Sequence, residues 1–391
     1  MADAEATLRA LLEEIAAKQQ YNNYDVQLKA FDTAGANYTS VLFKITLTSP
    51  GKDDLKLFAK VACVGEKFRS TGYVDKLYVA EQDFYNDIMS IWTGLQEKHN
   101  VPEGDRYGFP KFYGGNPTLG CETVVLEDLI AQGYSTYNRF KPVDWEYAAK
   151  SMEVLAQFHA FSFAHRKEYP EDYDKIIDKL KFELPADDEA LEGMWMRMVD
   201  ERVQLLKEEH RERALKSLSG DNAKENYLKY NKPRRHPILV HGDYRPSNLM
   251  HKKEEGQLTI VPVDYQTIHI GCPVIDLIYF VFLSTDEEFR AQYWDQLLVH
   301  YYEQLALALR SFDMDPKDVY PKEEFDEDMK EMLPYALLVG VMILPVITVE
   351  AENAPQMGEA AELDDFHIKP NEMYASRFRG LVNDLIRWDV I

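Results

Sequence analysis

The chain has 391 residues, with 44 Lys and Arg against 67 Asp and Glu, a formal charge of −23 and 46% hydrophobic content. That length supports two packed lobes with a buried core, and the composition excludes coiled-coil, collagen-like and largely disordered chains. The acidic balance argues against binding nucleic acid or an anionic membrane, because phosphate binding draws on clustered Lys and Arg. Cys63, Cys121 and Cys272 lie far apart and make neither a disulfide framework nor a CxxC metal pattern, which suits a reducing interior. The first 20 residues alternate charge with Leu, Ile and Ala at helical spacing and lack the pattern of a signal peptide. The most apolar stretch, Tyr335 to Val349, is broken by Pro345 and falls short of the roughly 20 residues a membrane span needs. The expected location is the cytoplasm.

A first helix is expected over Ala4 to Gln19. Alternating runs then predict strands over Val26–Ala30, Ser40–Thr48 and Leu55–Cys63, with the small-residue turn DTAGANYTS joining the first two. Leu77, Ala80, Phe84, Ile88 and Ile91 recur every three or four residues and predict an amphipathic helix over Asp75–Trp92. Shorter strands follow near Phe109–Tyr113 and Glu122–Leu126. Beyond Glu127-Asp128-Leu129 helical patterns dominate, over Trp145–His165, Ala190–Leu218, Glu287–Leu309 and Asp326–Thr348. Between the two pairs sit short apolar runs at Ile238–Val240, Leu249–Met250 and Leu258–Val263. The expected fold is α+β with two lobes: a small β-rich nucleotide-binding lobe over 1–128 and a large, mainly helical catalytic and substrate-binding lobe over 129–391.

The segment ILVHGDYRPSNLM, residues 238–250, carries the most chemical information. An apolar strand ends at Val240; His241-Gly242-Asp243 follow, Asn248 comes five residues after the Asp, and the next strand delivers Asp264 in VDYQ. Phosphoryl transfer to a hydroxyl needs a carboxylate at the acceptor oxygen and oxygen ligands for the divalent ion on the phosphates; protein kinases array these in this order. Taken singly, Asp243, Asn248 and Asp264 are ordinary turn residues. Together, between two strands, they point to catalysis.

The first lobe offers complementary parts. Lys60 sits late in the third strand among Leu57, Ala59 and Val61, and Glu81 follows on the next helix, a spacing that allows a phosphate-holding Lys–Glu pair. As isolated residues they are equally readable as an edge lysine and a solvated helix face. In the 32–40 turn, Asn37 and Ser40 are candidate phosphate contacts, although its single glycine, Gly35, departs from the Gly-rich pattern and a plain hairpin is the alternative. The backbone of Glu127 and Leu129 is the candidate reader of the adenine edge. His159 reads as a core histidine, and Lys232-Pro233-Arg234-Arg235-His236 as a solvated loop.

The order HGD-x4-N, VDYQ and GCPVIDLIYFVFLST, with VVLEDL and LAQFHAFS upstream, resembles the ecdysteroid kinase-like (CHK kinase-like) family, which is related to choline kinases and aminoglycoside phosphotransferases. The resemblance implies a protein-kinase-like fold using ATP and Mg²⁺. It makes Asp243 the catalytic carboxylate, Asn248 and Asp264 metal ligands, Lys60 with Glu81 the phosphate holders, and Asp276 a brace for the catalytic loop. Where insect members usually have a Trp and a second Asn, this chain has Tyr244-Arg245-Pro246-Ser247. Few residues separate Asp264 from PVIDL, with no APE-like motif, so the acceptor must be small rather than a peptide. An ecdysteroid hydroxyl, the 22-OH above all, is the favoured acceptor. Choline, an aminoglycoside-like amine, a dietary toxin, or a catalytically dead ligand-binding module are the alternatives. No nucleic-acid, membrane or obligate protein partner is implied.

Overall fold

The computed structural model describes residues 2–31, 40–63, 65, 69, 74–181, 189–219, 223–355 and 367–391. Helix α1 (Ala2–Lys18) precedes strands β1 (Asp25–Phe31), β2 (Ser40–Thr48) and β3 (Leu55–Ala62); α2 (Val74–Asp83), a π-helical turn (Phe84–Ile88) and α3 (Met89–Lys98) then lead to β4 (Phe112–Asn116) and β5 (Thr123–Glu127). The five strands form one antiparallel sheet in the order β1-β2-β3-β5-β4. Strand alternation turns Leu57, Ala59 and Val61 onto one face, where they pack with Leu8, Leu12 and Ile15 of α1. Lys60 therefore faces the other side, from a central strand paired with Leu42 of β2 and Val124 of β5.

The remainder is mainly helical: α4 (Trp145–Glu168), α5 (Pro170–Lys179), α6 (Glu189–Val203), α7 (Glu208–Leu218) and α8 (Ala223–Asn231) come first. Two small hairpin-like sheets follow, β6 (Ile238–Val240) with β9 (His269–Gly271), and β7 (Leu249–Glu254) with β8 (Gln257–Pro262). Then come α9 (Val274–Ser284), α10 (Glu287–Ser311), α11 (Lys322–Met332), α12 (Tyr335–Met342), α13 (Leu344–Thr348) and α14 (Glu372–Arg387). The arrangement is the expected α+β, two-lobe kinase-like one: a five-stranded sheet first, helices after.

Several boundaries differ from expectation for identifiable reasons. The helix expected over Asp75–Trp92 runs on to Lys98 and contains a π-helical turn, which a three-and-four spacing does not reveal. The expected Ala190–Leu218 helix is two helices; the Arg211 guanidinium holds the carbonyls of Gln204 and Leu206 in the intervening turn. The expected Asp326–Thr348 helix is three, interrupted beside Pro334 and Pro345, where a missing N–H and a ring clash break the ladder. Strand β9 and helix α14 went unforeseen.

An aromatic seam joins α2–α3 to the helical part. The Tyr265 ring stacks on Phe84 with centroids 3.6 Å apart and lies 6.0 Å from Phe158 of α4. Trp92 stacks on Phe161 at 5.1 Å, and the Tyr265 hydroxyl meets that of Tyr107 at 3.0 Å. These rings belong to one core that spans both sides of residue 128. Truncating Tyr265 to Ala should cost about 3–5 kcal/mol of stability in urea unfolding, as for other buried aromatics. Tyr265→Phe, which keeps the ring and loses the hydroxyl's contacts with Tyr107 and the Pro262 carbonyl, should cost about 1–2 kcal/mol.

Candidate active site

The loop after β6 is built around a carboxylate. Asp276, on the first turn of α9 and 1% exposed, accepts the backbone N–H groups of His241 (2.8 Å) and Gly242 (2.9 Å) on its two oxygens. His159 of α4 approaches the same carboxylate at 3.1 Å through Nε2, while its Nδ1 lies 2.7 Å from the Tyr301 hydroxyl. His159 is thus a fully buried, satisfied core histidine. Gly242 has φ +78°, and a Cβ there would run into the Thr267 carbonyl, so the turn demands glycine. The Tyr244 hydroxyl ties the loop to α4 by donating to the Ser151 carbonyl at 2.7 Å.

This scaffold presents Asp243. Its Oδ1 accepts from Arg245 Nε at 2.8 Å and from the Tyr279 hydroxyl at 2.5 Å, and its Oδ2 accepts from Asn248 Nδ2 at 2.7 Å. The same amide nitrogen reaches the Asp243 carbonyl at 3.0 Å, so Asn248 closes the loop on itself. One hairpin then sets the remaining distances. Leu249 pairs with Pro262 across β7–β8, and the Val263 N–H donates to the Asn248 carbonyl at 2.9 Å. Asn248 enters the hairpin and Asp264 leaves it, side by side. Asp264 itself has φ +69°, a left-handed backbone unusual for a non-glycine residue, which swings its side chain out of the strand.

Asp264 meets the sheet through Lys60, whose Nζ lies 2.7 Å from Asp264 Oδ1 and 2.9 Å from Glu81 of α2. Burial works against the Lys60 charge, but Asp264 and Glu81 outweigh it and hold the ammonium above its ordinary value. Burial raises the Glu81 carboxyl to about 7, against Lys60, with Asp264 adding repulsion. Burial likewise opposes the Asp264 charge; Lys60, then Arg245 and His241, prevail and keep it below the usual carboxylate range. A divalent ion fits this donor set. Asn248 spends its nitrogen on Asp243 and keeps its amide oxygen, and Asp264 follows Val263, whose N–H is bonded to the Asn248 carbonyl. Mg²⁺ takes one or two such oxygens and completes its shell with water and phosphate. Among the described residues no three His, Cys, Asp or Glu gather into an all-protein metal cage.

The other anticipated residues are placed as follows. Asn37 lies outside the described residues. Ser40 opens β2, is 8% exposed and pairs with Ala62 across the ladder. The Glu127 N–H donates to the Lys111 carbonyl at 2.9 Å, and the Leu129 carbonyl accepts from Gln132 and Tyr134. The basic cluster before β6 is not a solvated loop: Arg235 meets Asp328 at 3.0 Å, and Arg234 and His236 pair with Glu331 and Glu324, all on α11. The acidic face of α11 neutralises it. Sequence reasoning set Arg245 only at the border of the acceptor site, with no role of its own, and passed over Tyr279. Tyr279 stands three residues after Asp276, one helical turn on, but within VIDLIYFVFL it reads as one more core aromatic.

Comparison with known families agrees with this geometry. The model of the ecdysteroid kinase-like family matches residues 34–314. The chain belongs to that family. It is therefore a phosphotransferase of the small-molecule kinase class, acting on an alcohol. Among solved structures, one of a microcompartment-associated aminopropanol kinase matches with 10% identity and a TM-score of 0.40, over 97% of this chain and 98% of that one. No curated protein matches at a significant level.

Asp276 supplies a test through pH. Burial opposes its charge, but the His159 ring and the Gly242 N–H hold the carboxyl below its ordinary value. Stability from such a group is present above the unfolded-state value near ~3.9 and is lost as pH falls through the lower folded one. The Asp276→Asn variant of this ecdysteroid kinase-like chain should therefore be less stable near neutrality, by about 1–3 kcal/mol. It should also show a flatter acid limb when urea midpoints are plotted against pH. An unchanged acid limb would assign the carboxylate no such role.

Proposed function

We propose that the protein transfers the γ-phosphoryl group of Mg-ATP to a hydroxyl of a small molecule, an ecdysteroid 22-hydroxyl being the favoured acceptor. The observation that carries this reading is the hairpin β7–β8, which sets Asn248 beside Asp264 while Lys60 reaches Asp264 at 2.7 Å from the sheet. In this reading residues 1–128 form the nucleotide-binding lobe and 129–391 the catalytic lobe. Lys60, steadied by Glu81, holds phosphate oxygens, with Asn37 and Ser40 as further phosphate contacts. The Glu127 carbonyl and the Leu129 N–H, left over by the backbone bonds above, read the adenine edge. Asn248 and Asp264 hold Mg²⁺, which when bound neutralises charge on the phosphates. Asp243 accepts the proton of the attacking hydroxyl; Oδ2, with a single donor on it, has a lone pair to offer.

A small acceptor suits the short link from Tyr265 to Pro273 between the Asp264 turn and α9, which leaves no room for a peptide-docking segment. Phosphorylation would turn an apolar hormone into a charged conjugate and so inactivate it. A cytoplasmic setting fits this role, and no helix of the described residues is long and apolar enough to cross a membrane.

Purified protein with Mg-ATP should phosphorylate ecdysone or 20-hydroxyecdysone, scored by mass spectrometry of the steroid. Asp243→Asn should lower kcat by about 10²–10⁴-fold, with nucleotide affinity kept within about twofold. Asp264→Ala should remove both turnover and the magnesium dependence of nucleotide binding. Undiminished turnover in Asp243→Asn would falsify the assignment, and turnover of choline without any steroid would move the acceptor to the cationic class.

A further inference from the structure

Two cations are buried in this cleft, and they are used differently. Lys60 is saturated, held between Glu81 and Asp264. Arg245, with a side chain 9% exposed, commits only Nε, to Asp243 at 2.8 Å. Among the described residues its Nη1 and Nη2 meet no hydrogen-bond partner. A guanidinium carries five N–H donors in a planar fork, four of them on those two nitrogens. Neither Nη is among the described side-chain atoms shut off from water without a partner, so both open to the cleft, where a ligand's oxygens can take the place of water. Arg245 is attracted through space by Asp264 as well as by Asp243. Its backbone is extended, at φ −141° and ψ 160°, directly before the turn that carries Asn248.

We propose that Arg245 binds the oxyanion of the phosphoryl group in transfer, Nη1 and Nη2 each taking an oxygen. The proposal rests on the kinase reading above and adds a residue to it. As the acceptor oxygen forms its bond to phosphorus, the bond from phosphorus to the bridging oxygen breaks and its electron pair leaves on ADP. The hydroxyl proton passes to Asp243. That carboxylate then loses its charge, and Arg245 loses the counter-ion to which it is hydrogen-bonded. Oxygens of the transferring group on the Nη fork restore the balance at the moment Asp243 gives it up. Tyr279 assists by keeping Oδ1 occupied, which fixes the Asp243 carboxylate and holds Nε of Arg245 in place.

The test needs no acceptor. Binding of Mg-ADP to the full chain is measured by calorimetry with and without aluminium fluoride, a mimic of the phosphoryl group in flight. Wild-type protein should bind ADP at least about tenfold tighter when aluminium fluoride is present. In Arg245→Met the gain, taken relative to that variant's own Mg-ADP affinity, should fall below about twofold; Arg245→Lys, a point charge without the fork, should keep part of the gain. Arg245→Lys also covers the case in which the Met variant fails to fold, as judged by its urea midpoint. A gain that survives both substitutions, or its absence in the wild type, overturns the proposal. Failure of Mg-ADP to bind at all strikes instead at the kinase reading.

Discussion

The ion triad Glu81–Lys60–Asp264 is the constraint on which the site depends. Each member comes from a different element: α2, the central strand β3, and the turn after β8. Lys60 and Glu81 are buried and the Asp264 side chain is 23% exposed, so the two buried members depend on each other and on Asp264 to hold their charge. Two carboxylates sharing one ammonium leave a net negative charge, and the strain shows in Glu81, whose carboxyl is raised while that of Asp264 is lowered. The asymmetry has a geometric source. Asp264 also feels Arg245 and His241, whereas Glu81 has only Lys60 to offset burial. Asp264 is thereby the carboxylate kept ionised, as the proposed metal-binding role requires.

Backbone geometry that most sequences avoid is what makes the triad reachable. Asp264 adopts a left-handed conformation and Gly242 another, less than 30 residues away, on either side of the β7–β8 hairpin. The cost of the first is met by packing. Tyr265, the next residue, is wedged between Phe84 and Phe158, so the chain cannot relax without pulling a fully buried ring out of the core. Phe84 lies on the same continuous helical run as Glu81. The aromatic seam therefore positions both carboxylates of the triad, and packing and electrostatics specify one arrangement.

Much of this could be read from the sequence, because the informative contacts are local. Asp243 and Asn248 share a loop, and Asn248 and Asp264 flank a hairpin whose strands are plain alternations. Strand β2 was legible to the residue for the same reason, since Ser40–Thr48 alternates cleanly. What escaped depends on contacts between distant segments. Lys232–His236 looked solvated because the acidic face that neutralises it lies on α11, some 90 residues further on. Strand β9 is three residues long and exists only because Ile238–Val240 lies beside it. The π-helical turn at Phe84–Ile88 leaves no mark in a periodicity that tolerates steps of three or four.

The same distinction bears on the acceptor. Behind Asp243 the buried core is aromatic: Tyr279 interacts with Tyr335 of α12, whose ring centroid is 5.7 Å from that of Tyr230. Aromatic faces by themselves do not choose, since they suit a flat apolar ring system and a quaternary ammonium alike. The residue that breaks the tie is Arg245. Under the proposed mechanism, a buried guanidinium beside Asp243 repels a cation whose hydroxyl docks there, and the Asp243 charge is already claimed by Nε. A cationic acceptor would have to overcome that repulsion with carboxylates of its own, whereas a neutral polyhydroxylated acceptor meets no such barrier. The overall charge of −23 does not alter this, because surface carboxylates are screened within about 8–10 Å and the cleft is governed by the charges that line it.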